Sequence, residues 1–367
     1  FPFKRYVYIF HVGNKLRGAT EHINSTIIQT DRFAFSPDKK YRKIIGTTAH
    51  EFIHTWNVKS YRPAGISPYD YDKENYSDIF WLAEGTTSYY DNLINTRAGI
   101  YTLEQSLENL AEDIFKYQSK PGRKIMSLAE SSFDTWLDNN PNREHNTAVN
   151  IYLKGSLVSW LLDKEIRRLT NNNKSLDDLQ LLLYQKYASS PNGYTSYDVL
   201  QLLKQITGYD FKQFWYDYVN STKEINFDKL LDFYGLKFEK INKKEQQDEK
   251  NISLGLNIKE ENNQLKISLV ETDSPAWLAG LAYGDVLVAI NTFAVSKENF
   301  DSILQSLRVG DSYIVHYFHQ GKLMQTQITP QKAKHIKRKI VAQKTANNKQ
   351  KQRFLKWTGQ QLDSLKN

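Results

Sequence analysis

The stretch His50-Glu51-Phe52-Ile53-His54 decides the fold that this 367-residue chain is expected to adopt. On an α-helix, residues four positions apart share a face, so His50 and His54 can direct their imidazole nitrogens at one metal ion. Glu51 would flank the open coordination position, where hydrolysis needs a base. A catalytic zinc ion takes three protein ligands and keeps a fourth position for water. The sequence therefore predicts a zinc site on a helix.

The third ligand is expected from Glu84, in the segment Trp-Leu-Ala-Glu-Gly at residues 81–85. Small or apolar residues recur at helical intervals over residues 41–58 and 78–95, which indicates two helices. A carboxylate on the second helix completes a set of two histidines and one glutamate. The alternative, two ordinary histidines on a helix surface, is weakened by this second helix.

Four motifs together resemble a known family. They are HEFIHTWNVK at residues 50–59, RPA at 62–64, YDYDKENY at 69–76 and WLAEGTTSYYD at 81–91. They resemble the glycyl aminopeptidase family of zinc metallopeptidases (metallopeptidase family sixty-one), gluzincins with a thermolysin-like catalytic domain. The resemblance implies one zinc ion held by His50, His54 and Glu84, with Glu51 as the catalytic base that assists the attack of zinc-bound water.

Residues 18–22, Gly-Ala-Thr-Glu-His, are similar to the segment with which such aminopeptidases hold the free amino group of a substrate. A carboxylate in a poorly solvated cleft binds ammonium strongly, and glycine lets a peptide approach closely. Strands are predicted at residues 6–11 and 25–30, so the segment could be an edge strand for a peptide or a plain hairpin connection. The resemblance implies Glu21 as the amine anchor beside Gly18 and Ala19. Family members usually have Gly-Gly-Leu-Glu-His here, which leaves the subsite shape open.

Residues 151–155, Ile-Tyr-Leu-Lys-Gly, resemble the tyrosine-bearing helix of these enzymes. During hydrolysis negative charge develops on the former carbonyl oxygen, and a tyrosine hydroxyl is a suitable preorganised donor to it. The resemblance implies Tyr152 in that role. The chain has 23 tyrosines, so a packing role is the alternative.

Composition limits what else the chain contains. Hydrophobic residues make up 40% and aromatic residues 13%, which indicates globular cores. No apolar run is long enough to span a bilayer. The absence of cysteine excludes disulfides and thiolate metal sites and is compatible with a bacterial cytoplasm or periplasm. The chain starts without methionine, in a predicted strand, and the resemblance implies a β-rich domain upstream.

We expect an α+β fold, with a mostly helical thermolysin-like domain over residues 1–240 followed by a PDZ-like β domain over residues 250–330. Further helices are predicted at residues 103–117, 146–169, 175–187, 196–207 and 210–218, and a charged linker at 242–249. The PDZ resemblance rests on Leu254-Gly255-Leu256, SPAWLAGL at 274–281 and GDVLVAIN at 284–291. A PDZ groove binds a peptide C-terminus through backbone amides such as those of Leu254, Gly255 and Leu256, beside a helix expected at 300–307. A domain that only packs on the catalytic lobe is the alternative.

Residues 331–367 contain eleven lysines and arginines and one acidic residue, a balance of +10 against +8 for the whole chain. The segment is predicted to be a basic tail or a docking helix, since Phe354, Leu355 and Trp357 are apolar. Such a tail could bind nucleic acid or anionic lipid, but no nucleic-acid motif accompanies it, so no nucleic-acid partner is expected.

The sequence thus predicts a zinc-dependent aminopeptidase that acts on peptides with a free N-terminus. The resemblance implies small first residues, glycine or alanine. One alternative is a peptide-binding PDZ scaffold with an inactive or incomplete peptidase domain; another is an endopeptidase that tolerates blocked substrates. The complete ligand set and Glu21 favour the aminopeptidase.

Overall fold

The computed structural model describes residues 1–36, 38–136, 145–188, 190–240, 252–333 and 337–365. The chain opens with three strands, β1 (Val7–Gly13), β2 (Gly18–Glu21) and β3 (Ser25–Asp31), in the spatial order β1-β3-β2. β1 runs parallel to β3 and β2 runs antiparallel to it, so β2 lies at an edge of the sheet. The two strands predicted at residues 6–11 and 25–30 are confirmed with slightly different ends.

A helical lobe follows the sheet. Its α-helices in the described part of the chain are α1 (Asp38–Ile53), α2 (Phe80–Arg97), α3 (Leu103–Gln118), α4 (Leu128–Phe133), α5 (Ile151–Leu169), α6 (Leu176–Tyr187), α7 (Ser196–Thr207), α8 (Lys212–Tyr218) and α9 (Phe227–Phe233). The helices predicted in this region form, but α1 ends at Ile53 instead of residue 58, and α5 begins at Ile151 instead of residue 146. Side-chain caps at Asn150, Ser175 and Thr195 fix where α5, α6 and α7 begin, and Gly208, with φ +77°, ends α7. None of the helices described is both long and apolar enough to cross a membrane.

A β-rich unit is inserted between two paired strands of the lobe. β4 (Leu236–Lys240) leaves the lobe, and β13 (Arg338–Ala342) returns antiparallel to it. Between them lie β5 (Ile252–Ser253), β6 (Leu256–Glu261), β7 (Gln264–Val270), α10 (Pro275–Leu278), β8 (Val286–Ile290), β9 (Phe293–Ala294), α11 (Phe300–Ser306), β10 (Tyr313–His319), β11 (Lys322–Ile328) and β12 (Gln331–Lys332). The main sheet has the order β11-β10-β8-β7-β6, with β9 on β8. This unit has its own apolar core around Ile267, Leu287 and Val315. The predicted linker at 242–249 lies outside the described residues, and the PDZ identification stays a prediction.

The last helix, α12 (Asn348–Thr358), packs against the helical lobe. Phe354 is fully buried there, and the Trp357 ring stacks 5.5 Å from the ring of Trp160. The Trp357 indole N–H donates to the Tyr89 hydroxyl over 3.0 Å, and Arg97 Nε donates to the Trp357 carbonyl over 2.9 Å. The apolar residues of the basic C-terminal segment therefore belong to the core of the lobe.

Two glycines let α2 and α5 touch backbone to backbone. A Cβ atom on Gly85 would lie 2.4 Å from the Gly155 Cα, and one on Gly155 would lie 2.8 Å from the Gly85 Cα. No side chain fits at either position, because real Cβ contacts of that length do not occur. Glu84 precedes Gly85, and Tyr152 lies about one turn before Gly155. The contact therefore sets the distance between these two candidate site residues.

We expect Gly85→Ala to lower the free energy of unfolding by about 1–3 kcal/mol, the usual cost of overpacking, because α2 and α5 must separate. Thermal and urea unfolding measure this loss. Gly46→Ala is the matched control, since a Cβ there meets only the Tyr101 hydroxyl at 3.2 Å and alanine favours the helix. Equal stability of Gly85→Ala and Gly46→Ala would refute the close-contact argument.

Candidate metal centre and active site

The three predicted ligands converge on one point. His50 Nε2 lies 3.4 Å from Glu84 Oε2, and His54 Nε2 lies 3.3 Å from the same oxygen. One ligand atom from each residue lies within 4.8 Å of the other two. Two imidazoles and one carboxylate form a donor set that suits a catalytic zinc ion, so the residues fit the metal that the sequence predicted.

His54 lies just past the end of α1, although the sequence predicted a helix to residue 58. Its N–H still bonds to the His50 carbonyl over 3.3 Å, so the two histidines keep their helical relation. The next N–H groups donate to the carbonyl three residues back instead of four: the Thr55 N–H donates to the Phe52 carbonyl over 3.2 Å. This pattern tightens the last turn. Val58 has φ +99°, a value incompatible with a continuing α-helix.

Hydrogen bonds on the far side of each ring orient the histidines. His54 Nδ1 lies 3.0 Å from the Asn57 carbonyl, and His50 Nδ1 lies 3.4 Å from Asp91 Oδ2. An N–H on each Nδ1 leaves the Nε2 lone pair free for a metal. Asp91 was missed by the sequence reasoning. Its signal is the spacing of seven residues from Glu84, which places both on one face of α2.

The electrostatic field at the ligands is strongly negative. Burial opposes the charged form of His50, yet the carboxylates of Asp91 and Glu84 raise its pKa to about 10. Burial likewise opposes ionisation of Glu84, but its hydrogen bonds with His50 and His54 lower its pKa to about 2. A proton and a metal ion compete for the same imidazole nitrogen, so both respond to this field.

Asn57 joins the end of α1 to α2. Its Nδ2 lies 3.0 Å from the Leu82 carbonyl, 2.9 Å from the Ala83 carbonyl and 3.1 Å from Thr87 Oγ1. Because Asn57 also accepts from the ring of His54, one buried residue positions ligands from two helices. This role of Asn57 depends on how α1 and α2 pack in the folded protein, and no sequence pattern predicts it.

Glu51 is 6% exposed, and its Oε2 is buried without a hydrogen-bond partner in the described residues. Burial raises its pKa, while the neighbouring rings of His50 and His54 lower it. A buried carboxylate oxygen without a partner is costly, so it needs a ligand or a functional explanation. Glu51 follows His50 in the chain, and its role as the catalytic base stays a prediction.

Tyr152 lies over the metal ligands at the start of α5. Its ring is stacked on that of His50, with the centroids 5.9 Å apart. The residue is 42% exposed, so a substrate has access to it. Partial burial and the carboxylates of Glu84 and Glu21 raise the pKa of its hydroxyl. The phenol therefore stays protonated and can donate a hydrogen bond.

Glu21 is at the end of β2 and lines one cavity with Glu84. Gly18 and Ala19 pair with Gln29 and Ile28 of β3 on the same edge strand. Glu21 Oε1 lies 3.0 Å from Lys59 Nζ, and both side chains are about a quarter exposed. Lys59 ends the motif at residues 50–59, but the sequence did not predict this ion pair.

The predicted PDZ carboxylate loop belongs to the inserted β unit and its separate core. Leu254 is buried, and its carbonyl accepts from the Ala276 N–H over 2.9 Å. Gly255 has φ +70°, and its N–H donates to Ser253 Oγ over 3.0 Å. Leu256 begins β6, an edge strand of the sheet. A carboxylate at this loop would compete with Ser253 for one of the amides.

We expect Asp91→Asn to weaken Zn²⁺ binding by about 10- to 100-fold, because the ring of His50 loses its charged partner. Competition with a chromogenic chelator measures the affinity. Asp311→Asn, a change of the same kind at an exposed residue of the β unit, is the control. An unchanged affinity in Asp91→Asn would show that the Asp91 contact does not support the ligand.

Comparisons with known proteins relate this chain to peptidases. Residues 43–158 match the family model described as M61 glycyl aminopeptidase. An aminopeptidase N family protein from Idiomarina loihiensis has a similar crystal structure, with a TM-score of 0.87 and 24% identity over 97% of this chain. This chain spans 62% of the length of that protein, and at this identity the likeness shows the fold.

Two solved proteases overlap only a small part of the chain. The HtrA-type protease AlgW, solved with a decapeptide, matches 22% of this chain and 29% of its own at 18% identity and a TM-score of 0.21. A serine endoprotease from Yersinia pestis matches 24% of this chain and 33% of its own at 24% identity and a TM-score of 0.20. No protein with a curated description matches the chain. Residues 43–158, which contain the candidate metal ligands, Glu51 and Tyr152, thus match the M61 glycyl aminopeptidase family, and the resemblance predicted from the motifs is confirmed.

Proposed function

We propose that the protein is a zinc-dependent aminopeptidase that removes the first residue from peptides with a free N-terminus. The observation that carries the proposal is the convergence of His50 and His54 on Glu84 beside the buried, unpartnered Oε2 of Glu51. A zinc ion held by these three ligands would polarise the scissile carbonyl and acidify a water molecule. The other groups of the site determine how protons move and how the substrate is oriented.

Glu51 supplies the proton transfer. Burial raises the pKa of Glu51 towards neutral pH, and a base with such a pKa can both accept and return a proton. Oε2 has no protein partner in the described residues, so it is available to take a proton from the attacking water. The same oxygen then carries that proton to the leaving amine, which departs as a neutral molecule.

Tyr152 stabilises the charge that develops on the carbonyl oxygen. Its hydroxyl remains protonated because its pKa is raised, and its ring position over His50 keeps it at the ligand side of the cleft. A fixed donor of this type typically lowers the barrier by ~3 kcal/mol. Its partial exposure leaves room for a peptide between the ring and the solvent.

Glu21 orients the substrate by its amino group. The ammonium group of a peptide would displace Lys59 from this carboxylate or bind beside it, because both cations need the same oxygens. Anchoring the amine one residue from the scissile carbonyl makes the enzyme an exopeptidase. The second candidate, an endopeptidase that tolerates blocked amines, is favoured by one observation: Lys59 already neutralises Glu21.

The inserted β unit is proposed to be a PDZ domain. Support comes from the edge position of β6, the positive φ of Gly255 and the helix α11 at the predicted place. A peptide C-terminus bound beside β6 would add one strand to the sheet. This second site would bring protein ends to the enzyme and takes no part in bond cleavage.

We expect Glu51→Gln to keep zinc at one ion per chain and to lower kcat by about 10²- to 10⁴-fold, because the amide cannot accept a proton. Metal content by mass spectrometry and hydrolysis of glycyl, alanyl and leucyl amides test this. Removal of the metal with a chelator should abolish activity, and added Zn²⁺ should restore it. Zinc-loaded protein that hydrolyses none of these amides would overturn the proposed function.

We expect Glu21→Gln to reduce kcat/KM for free-amine substrates by about 10-fold or more, since a charged hydrogen bond is lost. The kcat/KM for N-acetylated substrates should change little, so the ratio between the two substrates measures the contribution of Glu21 to amine binding.

Lys59→Met should lower KM for free amines by about two- to fivefold, because the partly exposed ion pair between Lys59 and Glu21 no longer competes with the substrate. Equal losses on both substrates in Glu21→Gln would favour the endopeptidase.

A further inference from the structure

We propose that Asn146 is a positioning residue for the reaction: it ties the inserted β unit to the chain segment that leads into α5, and so fixes the position of Tyr152. This inference rests on the proposed function and names a residue that orders the same site. The β unit is then part of the catalytic framework, whatever peptide it binds.

The contact consists of two hydrogen bonds made by one side chain. Asn146 Nδ2 donates to the Val270 carbonyl over 2.7 Å, and Asn146 Oδ1 accepts from the Thr272 N–H over 3.2 Å. A carboxamide carries a donor and an acceptor in one plane, so it pairs with the carbonyl and the N–H of a strand as another strand would. Two bonds fix the orientation of the side chain as well as its distance.

On the β unit, the contact reaches the main sheet. Val270 is the last residue of β7, it belongs to the buried core of the unit, and it pairs with Leu256 of β6. The next N–H, that of Glu271, donates to the Gly255 carbonyl over 2.8 Å. Asn146 therefore holds a point of the β unit that is itself fixed to the sheet and to the loop before β6.

On the lobe, the segment between Asn146 and α5 is also restrained. A Cβ atom on Gly122 would lie 2.1 Å from the Ala148 carbonyl oxygen, so the two backbones touch. Val149 is buried, and its N–H donates to Ser131 Oγ over 3.2 Å. A segment packed this closely passes a displacement from one end to the other, because it has little room to absorb it.

The segment ends at the cap of α5, next to the tyrosine of the site. Asn150 Oδ1 accepts from the Leu153 N–H over 2.9 Å, which fixes the first turn of the helix. Tyr152 lies in that turn, and its ring is stacked on that of His50 with the centroids 5.9 Å apart. The strength of a hydrogen bond to a developing oxyanion depends on the distance and angle of the donor. A shift of the first turn therefore changes how well the hydroxyl stabilises the transition state.

The glycine contact between α2 and α5 leaves room for this second restraint. It holds α5 at Gly155, about one turn after Tyr152. A single point of contact sets a distance and leaves the helix free to tilt about that point. The bonds of Asn146 and Val149 hold the chain at a second point, before the helix begins. With both points held, the direction of the first turn is defined as well as its distance from α2.

Asn146→Ala should lower kcat by about 10-fold and leave the KM for free-amine substrates and the zinc content unchanged, since the change displaces Tyr152 and none of the metal ligands. Steady-state kinetics on alanyl amides measures this. In a Tyr152→Phe background the same change should cost less than about twofold, because the effects of residues that act through one group are not additive. Asn348→Ala, at an exposed residue of α12, is the matched control in both backgrounds.

An equal loss of kcat in the wild-type and Tyr152→Phe backgrounds would overturn the inference, as would an unchanged kcat in Asn146→Ala. A fall in the zinc content of Asn146→Ala would also overturn it, because Asn146 would then act through the metal ligands.

Hydrogen exchange tests the inference without turnover and so separates it from the proposed function. The N–H groups of residues 153–155 should exchange about 10-fold faster in Asn146→Ala than in the wild type or in Asn348→Ala, while those of residues 160–166, in the body of α5, should exchange at unchanged rates. Faster exchange in the first turn, in a protein that hydrolyses no amide substrate, would support the role of Asn146 and overturn the enzyme. Equal rates in the three proteins, or a uniform increase along α5, would overturn the inference whether or not the enzyme is active.

Discussion

The close contact between α2 and α5 is the constraint on which the site depends. Gly85 and Gly155 touch without room for a Cβ, and each is within one turn of a residue that faces the cleft. A larger spacing between these helices would move Tyr152 away from Glu84. On the other side of α2, Asn57 attaches the end of α1 to carbonyls of the first turn of α2. The candidate metal ligands are thus positioned by one backbone-to-backbone contact and by the short, buried side chain of Asn57, which are less adaptable than contacts between long side chains.

The site gathers four carboxylates in a small region, at Glu21, Glu51, Glu84 and Asp91. Such a group is stable only when cations or donors compensate it. The compensation is divided: Lys59 pairs with Glu21, and the histidine rings pair with Glu84 and Asp91. In the described part of the chain the Oε2 atom of Glu51 has no hydrogen-bond partner, and burial raises the pKa of this carboxyl group. The same field that raises the pKa of His50 also favours a divalent cation at the imidazole nitrogens.

The sequence predicted those parts of the site that follow from spacing along one chain segment. The separation of four between His50 and His54 and the helical pattern around Glu84 required no tertiary knowledge. Asp91 was accessible to the same reasoning, since it lies two turns after Glu84. The roles of Lys59 and Asn57 could not be predicted in this way, because they depend on where β2 and α2 lie relative to the end of α1. The cavity that Glu21 and Glu84 line is formed by residues from separate segments of the chain, so no local sequence pattern predicts it.

The inserted β unit explains why the C-terminal charge was hard to interpret from sequence. β4 and β13 pair on either side of the insertion, so residues beyond it return to the helical lobe. There the cations of α12 take part in the fold: Lys351 pairs with Asp363 at 2.9 Å, and Lys356 donates to the Asn172 carbonyl over 2.9 Å. The Arg353 guanidinium lies 3.9 Å from the centre of the Phe233 ring. A charge count along the sequence treats these residues as a free tail. In the structure they form the outer face of α12. Its inner face, with Phe354 and Trp357, completes the core beneath α2 and α5.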